Sequence, residues 1–474
     1  MKRELISLVV LLVICRGLGA QKDILITNVN IISMKDSMIA YKKSVLIAGG
    51  TIVSIKDVMN TDPKSQTVVI DGGGAYMMPG LFDMHMHFYH DMGLDKKYLK
   101  EEVSLPLANG VTTVRIMNGM PEYLELKKDI SIGKIQGPEM FVASPQFVGK
   151  WPFHEPLEGR MVTNAKEAEE AVKEFKAKGY DAIKLTEFVG IEAYDAVIKT
   201  ARELKIKVTG HVGPYVKLDK ALAAHQQIEH FDEFIETLLP DTSINHGRSV
   251  SDYGIWDRKN AWPTVEYVDE SKIDELAQKV KRANIYVTAT NYFFTRYFGI
   301  GATTDEIKQF PCYDYVPVFM KKRGDEGFRY YWDNPPPEEL RKKYVRIRYE
   351  FVTSLYNAGV KLMTGSDGPE WYLAPGFTVH DEIESYVKAG LSNFAALQTA
   401  TINPATYLGI NKRKGTIEPG KEGDFILLEK NPLESIKNTR TIKAVYTHDR
   451  FYDREQLDKL LNEAKIIVEA GTTR

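Results

Sequence analysis

The sequence predicts an α/β protein, a (β/α)8 TIM-like barrel inserted in a small composite β-sandwich domain. Three observations predict it. Short β-rich runs punctuated by Gly-Gly or Asp-Gly turns occupy both ends of the chain. Between them lie eight short apolar segments, each followed by a stretch able to form a helix. No Gly-x-Gly-x-x-Gly follows an early strand, which argues against an open dinucleotide-binding sheet.

Taken in order, Lys2 and Arg3 precede an apolar run from Leu5 to Cys15, and the small residues of RGLGA follow. A basic start, a short hydrophobic stretch and small residues read as a signal peptide over residues 1–20, so the protein is expected to be secreted or periplasmic. The run falls short of the roughly 20 residues a spanning helix needs, so no stable membrane insertion is expected after cleavage. Residues 21–79 (DILITNVNII, SVLIAGGTIVSIKDV, QTVVIDGGGAYMMPG) and 408–450 share one strand-and-turn texture and are assigned to the sandwich. Residues 80–407 are assigned to the barrel, with strands expected at 80–84, 112–116, 139–143, 181–185, 207–210, 227–229, 285–289 and 360–364. Residues 291–345 break the rhythm with an aromatic, Pro-rich insertion, of a length that suits a lid or binding loop or simple packing on the barrel. The tail, 451–474, reads as an amphipathic C-terminal helix.

Composition narrows the function. Lys and Arg number 62 against 64 Asp and Glu, a net charge of -2 that lacks the basic excess of a nucleic-acid binder. Cys15 and Cys312 are the only cysteines, which excludes a disulfide framework, a cysteine-rich zinc module and an iron–sulfur centre. Histidine must then carry any transition-metal chemistry.

The sharpest motif is Asp83-Met84-His85-Met86-His87, directly after the apolar PGLF. On a strand, alternation turns His85 and His87 to the same side, offering two imidazoles at its end. Four more expected strand ends carry polar residues: Lys184 in YDAIKLTE, His211 in KVTGHVG, His230 in QIEHFDE and Asp367 in MTGSDGPE. Each histidine alone could be an ordinary core residue, and Lys184 could pack its stem against the barrel. Their coincidence at the ends of separate strands, where a barrel builds its site, argues for one constellation.

These blocks resemble the metal-dependent amidohydrolase superfamily, in its imidazolonepropionase-like and Xaa-Pro dipeptidase-like branch. The resemblance covers nearly all of residues 22–445 and rests on PGLFDMHMH, ANGVTTVRIMNG, YDAIKLTE, VTGHV, IEHFDE, AGVKLMTGSDGP, HDEIESYVKAGLSNFAALQTATINPATYLG and GTIEPGKEGDFILLEKNPL. It implies two divalent metal ions, zinc by expectation. His85, His87 and Asp367 would hold the more buried ion, and His211 and His230 the second. Lys184 would become N6-carboxylysine and bridge them, since a carbamate offers anionic oxygens where an ammonium repels metals. The implied function is cleavage of a C–N amide bond in dipeptides by a hydroxide held at the binuclear centre, with Asp367 as the catalytic proton carrier. Alternatives within reach of the same residues are a cyclic amide hydrolase, a mononuclear deaminase and a secreted binding protein on a hydrolase scaffold. The partner expected is a small molecule, a dipeptide or amide, with homo-oligomerisation open. Candidate substrate contacts are Arg115, Arg296 and His154 as carboxylate clamps, and Tyr215 on the carbonyl oxygen.

Overall fold

The structure, a computed structural model, describes residues 23–58, 67–150, 159–186, 188–240 and 262–470. The expected signal peptide at 1–20 and the candidate His154 lie outside the described residues. Before the barrel come β1 (Ile24–Ile32), β2 (Ile39–Ala48), β3 (Thr51–Asp57), β4 (Val68–Asp71) and β5 (Tyr76–Pro79). The central strands are β6 (Leu81–Met86), β7 (Val111–Ile116), β8 (Glu139–Val142), the short β9 (Phe147–Val148) and β10 (Arg160–Met161), β11 (Ala182–Leu185), β12 (Lys207–Gly210), β13 (Gln227–Glu229), β14 (Tyr286–Thr288) and β15 (Lys361–Met363). The chain ends with β16 (Phe425–Leu428), β17 (Ile442–Thr447), β18 (Arg450–Asp453) and a helix over Arg454–Ala464.

Strands β6, β7 and β8 pair in parallel, as do β11 through β15 in sequence order. A parallel bridge from Ala143 to Ala182 joins the first group to the second. On the other side Met84 N donates to Thr364 O at 2.8 Å, and Asp367 N to His85 O at 2.7 Å, so the exit from β15 runs along β6. The outcome is a mixed α/β fold built around a TIM-type barrel, with helices such as Ala165–Lys178 and Ile191–Glu203 between strands. Gly365 permits the closing contact, because a Cβ there would lie 2.4 Å from Thr288 Cγ2 and 2.6 Å from His85 Cβ.

In the small domain the strands pair as one continuous sheet, in the order β18-β17-β16-β5-β1-β2-β3 with β4 also on β1, and the sheet curls so that Thr51 on β3 bridges Glu422 just before β16. Register shifts between Ile26 and Ile31 bend β1, so its first half pairs with β4 and its second with β5. Alternation then divides the strands between two cores. Met77, Phe425, Leu427, Ala444 and Tyr446 join a cluster within the sheet, while Met78, Ile426, Leu428 and Val445 join the barrel core. The sheet also continues to Asp453, beyond the expected boundary at 450, because Asp453 accepts from Gln456 N at 2.9 Å and caps the final helix.

Barrel and sheet are bolted together by charge. Lys414, 3% exposed, reaches Glu139 at 2.9 Å and Asp424 at 2.8 Å; Arg413 reaches Glu139 at 2.8 Å. Thr112 and Thr447 donate to the two oxygens of Asp424 at 2.6 and 2.9 Å.

The insertion is folded rather than open. A turn of helix (Asn291–Phe293), a π-helix (Phe294–Ile300) and helices over Thr304–Lys308 and Val318–Trp332 lead into the long helix Glu338–Ala358. Phe293, Tyr297, Phe298 and Phe328 surround Trp371, with ring centroids 5.4 to 6.3 Å away. Trp371 lies four residues past Asp367, so these aromatics brace the segment that carries a candidate ligand. Among the described residues no helix is long and apolar enough to cross a membrane.

Candidate metal centre

At the C-terminal ends of the strands, four imidazoles stand in a row. His87 lies 5.4 Å from His85 between ring centroids, His85 4.6 Å from His230, and His230 4.6 Å from His211. Asp367 faces them: its Oδ1 is 3.4 Å from His85 Nε2 and 3.7 Å from His87 Nε2, and its Oδ2 is 3.6 Å from His230 Nδ1. Lys184, 1% exposed, comes up beside them on β11. Its stem passes Gly210, where a Cβ would sit 3.0 Å from Lys184 Cδ and 2.3 Å from Leu185 O. The six residues expected from the sequence are thus brought to one place.

Each ring is backed from outside. His85 Nδ1 donates to Glu229 Oε2 at 2.8 Å, His87 Nδ1 to Asp91 Oδ2 at 3.1 Å and His211 Nδ1 to Asp232 Oδ2 at 2.9 Å. His230 Nδ1 lies 2.7 Å from Thr290 Oγ1. Such outer partners fix the tautomer and orientation of a metal-binding histidine. Burial holds His85 well below the ordinary imidazole range, reinforced by the Lys184 charge, and holds His230 there with help from His85 and His211. Both rings are therefore neutral, the form that offers a lone pair. Burial also works to lower His87, but the hydrogen bond and charge of Asp91 outweigh it and raise the ring.

The donor set fits a divalent transition metal: His85, His230 and Asp367 have ligand atoms within 4.8 Å of one another, and nitrogen with carboxylate oxygen suits zinc-like ions. Asp83 ties the two ligand-bearing segments together. It accepts from Ser366 N at 3.0 Å, Ser366 Oγ at 2.6 Å and His85 N at 3.2 Å, while burial pushes its carboxyl up to about 6.

The candidate substrate contacts fare differently. Arg115, expected as a carboxylate clamp, is 2% exposed beneath the histidines, where it donates to Met84 O at 2.6 Å, Gln227 Oε1 at 2.5 Å and Glu229 Oε1 at 2.7 Å. On an inward-facing strand position its guanidinium is satisfied inside the barrel. Arg296, the second clamp candidate, turns back within the insertion and donates to Gly301 O at 2.6 Å. Tyr215 is 48% exposed and meets Phe188 edge-on at 6.3 Å.

Sequence reasoning missed the backing residues Asp91, Glu229, Asp232 and Thr290. A signal existed for some of them, since Gln227 and Glu229 alternate on β13 as His85 and His87 do at the end of β6, and Asp232 follows His230 by two. It also missed Arg348, 1% exposed, which donates to His230 O at 3.1 Å and Ala289 O at 2.8 Å from the helix behind.

Comparison with known proteins decides the family. Residues 76–451 match the amidohydrolase family. The chain belongs to it. As a member it is a metal-dependent hydrolase acting on carbon–nitrogen bonds. Among curated proteins it is 23% identical to the ochratoxinase of Aspergillus niger over 398 residues, 78% of this chain and 74% of that one. Similar solved structures include a Xaa-Pro dipeptidase with bound methionine (21% identity, TM-score 0.62, covering 91% of this chain and 100% of that one). The A. niger ochratoxinase structure (18%, TM-score 0.62, 91% and 96%) and a bottromycin amidohydrolase (18%, TM-score 0.69, 94% and 90%) share the fold as well.

Proposed function

We propose that this amidohydrolase cleaves the amide bond of dipeptides, Xaa-Pro dipeptides among them, at a binuclear centre held by His85, His87, His211, His230, Asp367 and a carboxylated Lys184. One observation carries the reading: a fully buried lysine whose charge acts on His85, His87 and His230 sits at the cluster of four imidazoles and a carboxylate. Left as an ammonium, Lys184 would repel the cations those imidazoles are built to hold. Attack of the neutral amine on carbon dioxide, with loss of one proton, converts it into a carbamate with two anionic oxygens.

When bound, the metal ions polarise the scissile carbonyl and make water acidic enough to attack near neutral pH. Asp367 receives the proton of the attacking water on one carboxylate oxygen and delivers it to the leaving nitrogen, a base that becomes an acid. Glu229, Asp91 and Asp232 hold three of the rings in place through that cycle, so little reorganisation is needed. Phe188 and the exposed Tyr215, on the loops after β11 and β12, offer an apolar rim to a substrate side chain. The Xaa-Pro dipeptidase among the similar structures supports the substrate class, and the leader-like residues 1–20 support action outside the cytosol.

The test is metal content by inductively coupled plasma mass spectrometry on protein grown with zinc and bicarbonate, followed by a dipeptide library that includes Xaa-Pro members. Two equivalents per chain with Xaa-Pro turnover is the expected result. One equivalent, with no dipeptide cleaved, overturns the binuclear dipeptidase reading.

A further inference from the structure

We infer that Glu229 and Arg115 are positioning residues that decide which ring nitrogen of His85 carries its proton, and hence which one is presented to a metal. The inference rests on reading His85 as a ligand. Its geometry is a buried relay that starts under the barrel mouth and ends on the imidazole.

Arg115 is fixed at both ends of its fork. Nε donates to Met84 O at 2.6 Å, the residue just before His85, and Nη1 to Gln227 Oε1 at 2.5 Å. Nη2 donates to Glu229 Oε1 at 2.7 Å, while the Thr209 hydroxyl lies between that oxygen, at 2.7 Å, and Gln227 Oε1, and its single proton serves one of the two. With Oε1 committed to the Arg115 guanidinium, Oε2 faces His85 Nδ1 at 2.8 Å. Arg115, Glu229 and His85 are 2%, 0% and 1% exposed, so bulk water cannot substitute for any partner. A carboxylate only accepts. The ring proton must therefore sit on Nδ1, and Nε2, 3.4 Å from Asp367, presents its lone pair toward the centre.

The relay makes a prediction that a merely space-filling role does not. In Glu229→Gln the side chain keeps its shape, but Arg115, which can only donate, holds one end and requires the carbonyl oxygen there. The amide nitrogen then faces His85 and donates to Nδ1, driving the ring proton onto Nε2, where it blocks metal binding. Removing the guanidinium as well, in Arg115→Met with Glu229→Gln, lifts that demand, because a hydroxyl such as Thr209 can accept as readily as donate. The amide is then able to turn over and restore the native tautomer.

The experiment titrates zinc-loaded wild type, E229Q and the R115M/E229Q double variant with a chelator, and follows retained metal together with Tm. Expected is a roughly 10- to 100-fold loss of metal affinity in E229Q, with the double variant holding metal more tightly than E229Q. Affinity in E229Q within twofold of wild type, or a double variant weaker than E229Q, overturns the inference. Should E229Q fail to fold, histidine-¹⁵N-labelled wild type without metal gives the same test. The His85 signals, assigned by their loss in H85N, must show a protonated Nδ1 and an unprotonated Nε2; the reverse pattern overturns the relay. If wild type itself holds no metal, the metal reading fails, while the nitrogen spectrum still judges the positioning.

Discussion

Two clusters of buried charge sit in this barrel, and they are built on opposite plans. At the bolt between barrel and sheet, every acid meets a base: Lys414 lies between Glu139 and Asp424, and Arg413 bonds Glu139 and Glu422. At the strand mouths, four rings, two of which (His85 and His230) burial holds neutral, and a lysine converge on one carboxylate, with the other acids turned to the rear as backing. Both are buried and polar. The first is complete as it stands, which marks it as structural; the second is a set of inward donors whose supports are already in place, which marks it as a site for cations. The arrangement of like and opposite charges, rather than burial or charge alone, separates the two.

The largest expected break falls on the second cluster. Asp367→Asn removes both the anion facing three histidines and the proton carrier, so turnover should drop by about a thousandfold, with Tm changed by only a few degrees. Steady-state kinetics on the best substrate of the dipeptide library, paired with calorimetry, checks it. Activity within tenfold of wild type would remove Asp367 from the chemistry.

Next in size is Trp371→Ala. Trp371 is 3% exposed and ringed by four aromatics of the insertion, so truncation leaves a cavity costing about 3 kcal/mol. Because it lies four residues past Asp367, metal retention should fall along with denaturant stability. Stability lost with metal affinity intact would show that the insertion braces the barrel without bracing the ligand.

The bolt offers the matching test. Burial works to raise Glu139, but Lys414 and Arg413 outweigh it and hold the carboxyl at about 2. With a folded value below the ordinary carboxylate range, the stabilisation is complete above roughly pH 4.5 and is lost as pH falls toward 2. Glu139→Gln should cost about 2 kcal/mol near neutrality, flatten the acid limb of the stability curve below pH 4.5, and leave metal content unchanged. His380, buried between Thr439 Oγ1 and Asn109 O, is lowered to about 3 by burial and by Arg440. It adds acid sensitivity of the same sign, starting higher, from roughly pH 6.5 downward. Urea melts across pH 2 to 7 separate the two contributions.

Much of this contrast was legible in the chain. His85 with His87, and the polar residues ending separate strands, declare themselves because strand alternation and barrel topology leave few other uses for them. Arg115 was legible as important and misread in role: on VTTVRI its parity matches Thr113, but nothing local says that Gln227 and Glu229 wait across the barrel. The bolt was invisible for the same reason, since Glu139, Lys414 and Asp424 meet only after barrel and sheet close. The bend in β1 was not legible, because its register shifts arise from pairing partners far along the chain.

The smallest expected effect lies at the rim, where the comparison can be sharpened. Tyr215 is half exposed, and its ring meets Phe188 edge-on. Tyr215→Phe should therefore alter kcat/KM by less than about threefold, and Tyr215→Ala should raise KM for substrates with bulky apolar side chains while kcat holds, the pattern of lost uniform binding. Stability should stay within about 0.5 kcal/mol, as at other exposed positions. If Tyr215→Phe instead lowered kcat a hundredfold, the hydroxyl would be touching the reacting carbonyl. The boundary between the preorganised ligand cluster and the adaptable rim would then have to be drawn one residue further out.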